Sequence, residues 1–124
     1  MDIRYIELKT GYQDNGPAWI GKVSVSKTGK TVYFNDHAFQ RYNAAIGNYI
    51  DIESGDMYWI SRVKKDGNDR HWAGNGNIII DRKVIDEYLF ETDTDALDPA
   101  KFDVRDIEDS FPVDRVNRLL NAVQ

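Results

Sequence analysis

Few residues of this 124-residue chain are suited to chemistry. It has two histidines, His37 and His71, and no cysteine. Without a thiol there is no disulfide scaffold, no thiolate zinc site and no cysteine nucleophile. An imidazole can act as general acid or base with a lysine when geometry brings the groups within hydrogen-bond reach. Asp69 and His71 would share a face if their loop is extended, yet no serine sits in the strand–turn–helix context of a nucleophile elbow. Nothing in the spacing joins His37 to His71, so two surface histidines are the plain reading and no catalytic residue is expected.

The segment Arg62–Gly76 gathers Arg62, Lys64, Lys65, Arg70, His71 and Trp72 between turn residues. Cations beside an aromatic ring can hold a phosphate backbone and stack a base. Asp66 and Asp69 dilute that charge, and a solvated loop accounts for it as well. Asp93, Asp95 and Asp98 lack the glycine and terminal glutamate of an EF-hand loop, so they read as an acidic linker and no metal is expected. Gly74-Asn75-Gly76 lacks the lysine of a phosphate-cradling loop and reads as a tight turn. The sequence holds no cofactor motif. Of the aromatic residues, Tyr58 and Trp59 alternate on one strand, so one of them is expected to face outwards and to offer a docking surface.

Charge separates two regions. Residues 1–90 carry 12 acidic and 12 basic side chains, whereas residues 91–124 carry 9 acidic and 4 basic, the whole of the net −5. A strongly basic nucleic-acid footprint is missing. No stretch approaches the roughly 20 apolar residues that span a bilayer, and the first residues show no signal-peptide run, so a cytoplasmic location without membrane contact is expected.

The elements that would position these residues are mostly strands. The 3 Trp, 7 Tyr and 5 Phe suit a pleated, half-buried surface. Ile3–Leu8, Trp19–Ser26, Thr31–Asn35, Tyr49–Glu53, Met57–Val63 and Ile78–Ile80 read as strands divided by turn chemistry. In the second of these, Trp19, Val23 and Val25 are expected on one face. Asp81 is a suitable N-cap for a helix with Val84, Ile85, Tyr88 and Leu89 on its buried side. The expected fold is mostly β, an α+β chain: a small, SH3-like, partly open barrel of five or six strands, with a closing helix and a C-terminal helical extension. An α+β roll is the main alternative.

Residues 1–90 then form the barrel domain, and residues 91–124 an acidic linker followed by an amphipathic helix. Asp98-Pro99 is expected to start a short helical turn. In the last helix Val113, Val116, Leu119, Leu120 and Val123 make an apolar stripe that must meet the barrel or a partner.

The run Tyr49-Ile50-Asp51-Ile52-Glu53-Ser54-Gly55-Asp56-Met57-Tyr58-Trp59-Ile60-Ser61, its continuation Val63–His71, and the opening Arg4–Tyr12 with Gly16–Gly21 resemble a family of small uncharacterised bacterial proteins. Its members are often labelled, in error, 1-deoxy-D-xylulose-5-phosphate synthase. The resemblance covers about residues 1–90 and implies no activity. The synthase label fails on physical grounds, because that enzyme class is several times longer and holds thiamine diphosphate through a magnesium motif that this chain lacks.

Three functional readings follow. The first is a non-catalytic protein-interaction module that uses exposed aromatics and the last helix to bind a protein partner or itself. The second is an acidic inhibitor or immunity-type protein whose tail is steered to a basic target. The third is a nucleic-acid-binding or nuclease-like protein built on the Arg62–Gly76 loop.

Overall fold

A computed structural model describes residues 3–9, 16–43, 46–66, 77–108 and 112–122. The chain folds as a mostly-β, partly open barrel with two short helices. Its nine strands are β1 (Ile3–Leu8), β2 (Ala18–Lys22), β3 (Ser24–Val25), β4 (Thr31–Phe34), β5 (His37–Arg41), β6 (Tyr49–Asp51), β7 (Met57–Arg62), β8 (Ile78–Asp81) and β9 (Phe102–Arg105). A 3-10 turn at Arg82–Val84 leads into α1 (Ile85–Thr92), and α2 spans Val113–Ala122.

The strands form one sheet in the order β3-β4-β5-β6-β7-β1-β2-β8-β9. Residue Val23 alone separates β2 from β3, yet five other strands lie between them in that order. One extended run therefore serves two distant parts of the sheet: β2 pairs with β1 and β8, and β3 pairs with β4. The sheet must curl to allow this. Gly21 marks the close approach, since a Cβ there would stand 2.5 Å from the Phe34 ring.

The curl separates two apolar cores. Ile6, Val23, Val32, Phe34, Phe39, Tyr58, Ile60 and Ile107 fill one. Ile3, Tyr5, Ala18, Ile20, Ile78 and Ile80 face the other, which Val84 and Tyr88 cover, with Ile85 and Leu89 half-buried beside them. The four helical positions expected to be apolar thus lie against the sheet. Asp81 caps the 3-10 turn and not α1 itself, its carboxylate accepting from the Lys83 amide at 3.2 Å; the residue before α1 is Val84, which makes no side-chain cap. Strand β8 touches both cores, with Ile78 and Ile80 in one and Ile79 against the other. Burial on both faces explains its unbroken isoleucine run.

Nine strands stand where six runs were read, for three physical reasons. The run Trp19–Ser26 is bent at Val23 into β2 and β3; the bend breaks its alternation and leaves Val25 54% exposed. Strand β5 is joined to β4 by the two-residue loop Asn35-Asp36, both residues having positive φ, at 49° and 62°. Such a loop matches the twist of a hairpin, and asparagine and aspartate tolerate it best after glycine. Strand β9 arises within the stretch read as linker and extension. Asp98 opens a single turn, its carboxylate accepting from the Ala100 amide and its carbonyl from Lys101 and Phe102, and Phe102–Arg105 then pair in parallel with β8. Helix α1 is the crossover that a parallel pair requires.

Helix α2 returns to the barrel. Val116 is buried against Tyr33 and Ala38, with Ile52 packed beside them.

Candidate functional site

The β4–β5 and β6–β7 turns carry the polar cluster that receives α2. Asp51, the last residue of β6, is 2% exposed. One carboxylate oxygen lies 2.9 Å from Nδ1 of His37, and the other accepts from the amides of Glu53 at 2.9 Å and Ser54 at 3.3 Å. The ring of His37 stacks on Phe39 with centroids 6.0 Å apart. A carboxylate that orients an imidazole can serve base catalysis. Here the same carboxylate also closes the β6–β7 turn, and no nucleophile joins the pair among the described residues. His71, the other half of the imagined acid–base pair, lies outside the described residues.

Beside this pair, Arg115 of α2 donates to both carboxylate oxygens of Glu53, at 2.6 and 2.8 Å. The same guanidinium donates to the carbonyl of Asp36 at 3.2 Å and stands 3.5 Å from its carboxylate. The hydrogen bond from Arg115 holds the Glu53 carboxyl below its ordinary value, helped by the charges of Arg115 and His37 and opposed by desolvation. Glu53 and Asp36 in turn raise the Arg115 guanidinium, the hydrogen bond to Glu53 being the largest cause. One bidentate clamp and one buried valine thus fix the helix.

The residues singled out from sequence fall in different places. Tyr58 belongs to the core, not the surface: it is 6% exposed, 4.7 Å from the Phe39 ring and 6.4 Å from that of Trp19. Burial, with the charges of Asp51 and Asp56, pushes its hydroxyl up to about 12. Trp59, its neighbour on the strand, faces outwards and is 42% exposed. A hollow of about 10 Å³ between Trp19, Phe34, His37 and Tyr58 has room for one water at most.

Lys64 and Lys65 are exposed, whereas Arg70, His71, Trp72, Asp69 and the Gly74–Gly76 turn lie outside the described residues. On α2, Val113, Leu119 and Leu120 are 41%, 42% and 36% exposed. Val116 faces the barrel and offers nothing to a partner; Val123 lies outside the described residues. Among the described residues no group of three histidines or carboxylates is placed to hold a metal.

Asp36, Asp51, Glu53 and Arg115 were not singled out by sequence. The only trace of them there is turn chemistry, Asn35-Asp36 and Glu53-Ser54-Gly55-Asp56, and one of the three arginines in an acidic tail.

A second polar feature lies at the far end of β1 and β7. A groove of about 320 Å³ is lined by Ile3 and Arg4, by Arg62, Val63 and Lys65, and by Glu87 and Glu91 of α1. The loop cations read as a nucleic-acid footprint therefore share their groove with two carboxylates. No helix among the described residues is long and apolar enough to cross a membrane. No family model, curated protein or solved structure matches the chain.

Proposed function

We propose that this chain is a non-catalytic interaction module that meets another protein surface, a second copy included, through the apolar residues of α2. The observation that carries this reading is the width of the helix's apolar stripe. On a regular helix Val113 and Leu120 lie about 60° and 40° to one side of Val116, and Leu119 about 60° to the other. Val116 is 1% exposed, while these three flank it and stay open on a helix already anchored by Arg115. Apolar side chains that line an anchored helix are ready to close against a groove or a second helix.

The acidic-inhibitor reading has less support. Asp103 and Asp106 of the acidic segment are engaged within the chain, by Arg105 at 2.8 Å and Arg82 at 3.1 Å. Glu87 and Glu91, beside Arg62 and Lys65, weaken the case for a nucleic-acid surface.

The test is site-specific photocrosslinking in the native host, with the reactive residue at position 119 and, as control, at the exposed Lys27. One dominant adduct from position 119, absent from the control and lost on Leu120→Asp, is expected. The reading fails if position 119 gives no discrete adduct, or the same pattern as position 27.

A further inference from the structure

The groove between the β1–β7 end and α1 holds charges in an order that neither the fold nor the α2 surface explains. Arg4 and Arg62 are directly opposite each other in the β1–β7 ladder. Like charges so placed in a sheet are destabilising. Glu87 and Glu91 are four residues apart on α1, where like charges also repel. The two unfavourable placements line one groove, with Lys65 added on the cationic side.

Arg62 and Lys65 do not pair with Glu87 or Glu91. Among the described residues, no ion pair or side-chain hydrogen bond engages Arg62, Lys65, Glu87 or Glu91. The cations and the carboxylates line one groove of about 320 Å³, within the range of small-molecule sites, roughly 300–1,000 Å³. Ile3 and Val63 add aliphatic surface to its lining.

We propose that this groove binds a small zwitterion, its anionic group taken by Arg62 and Lys65 beside Arg4 and its ammonium group by Glu87 and Glu91. A polyanion fits poorly, because phosphates following the cations would be carried onto two carboxylates. A simple anion leaves the acidic wall unused. A molecule with opposite charges at its two ends gives Arg62 and Lys65 an anion and Glu87 and Glu91 a cation at once, and meets Ile3 and Val63 with its apolar middle.

The experiment is an NMR titration of the ¹⁵N-labelled full-length chain with three probes: L-alanyl-L-alanine, inorganic phosphate and methylammonium. Saturable shifts at residues 3–4, 62–65 and 87–91 are expected with the dipeptide. Phosphate and methylammonium should each bind about tenfold more weakly, as expected for the loss of a charged hydrogen bond. Glu87→Gln and Arg62→Ala should each weaken the dipeptide by a similar factor; Lys65→Ala provides a second cationic variant, and Lys27→Ala should change nothing. Two results overturn the proposal. One is the absence of saturable shifts with the dipeptide. The other is phosphate binding as tightly as the dipeptide and indifferent to Glu87→Gln, which makes the groove a plain anion site.

Discussion

At the residue scale, Asp51 has the most depending on it. Its buried carboxylate holds the imidazole of His37 and two turn amides, and its own backbone pairs with Asp56 and Gly55. Replacing it by alanine strips these partners of their acceptor while the backbone bonds remain. Unmade hydrogen bonds to a charged group cost more than neutral ones, so Asp51→Ala should lower stability by about 3 kcal/mol. Chemical denaturation measures this directly. His37→Ala should cost much less, because the imidazole is nearly half exposed and the turn amides keep their acceptor. Equal losses from the two substitutions would mean that the ring contact, not the turn, is the main role of the pair.

At the element scale, α2 depends on a contact that titrates. Arg115 holds Glu53 below its ordinary value, so the pair contributes stability that is complete above about 4.5, the usual carboxyl value. That contribution is lost as pH falls through the lower value Glu53 has in the folded chain. Amide protection of residues 114–122, measured against the unfolded-chain rate at each pH, should therefore fall in acid, at pH values below 4.5, and Glu53→Gln should lower it already at neutral pH and remove the acid step. Exchange that is unchanged by Glu53→Gln would show that Val116 holds the helix alone. A helix of this length is marginal by itself in water, so release and unwinding should coincide.

The sequence revealed this helix and its stripe, but not which residue turns inward. Periodicity places Val113, Val116, Leu119 and Leu120 near one another without choosing between barrel and partner, and Arg115 draws its meaning from Glu53, 62 residues away. The buried face of α1 was legible because its spacing is local, although the helix starts at Ile85, after a 3-10 turn that Asp81 caps. Strands β5 and β9 were less so. The first lies behind an asparagine–aspartate turn in place of the more telling asparagine–glycine; the second is a strand of four residues whose pairing with β8 is set by a crossover.

At the scale of the whole molecule, the curl rests on a few close approaches, and Gly21 against Phe34 is the tightest of these glycine contacts to a side chain. Gly21→Ala should destabilise the chain by about 1–3 kcal/mol through overpacking. Phe34→Leu on that background should recover part of the loss, although Phe34→Leu alone destabilises. A double-mutant cycle from denaturation midpoints checks this: strictly additive losses would place the cost of the alanine elsewhere than the Phe34 ring. The curl itself could not be read in the sequence. Trp19–Ser26 looks like one strand, and only the partners of its two halves reveal that it is shared.

That sharing determines what the sheet presents at its rims. A nine-stranded open sheet has two free borders, each a potential template for adding a foreign strand. One border here is β3, just two residues long, because the run it belongs to is spent on β2. The other is β9, where Arg105 grips Asp103 along the strand and sets paired charges in the way of an incoming backbone. The bend at Val23 thus shapes the barrel and also shortens one rim below the length at which stacking could start. Guarding the molecule against self-templating is left to four residues at the other end.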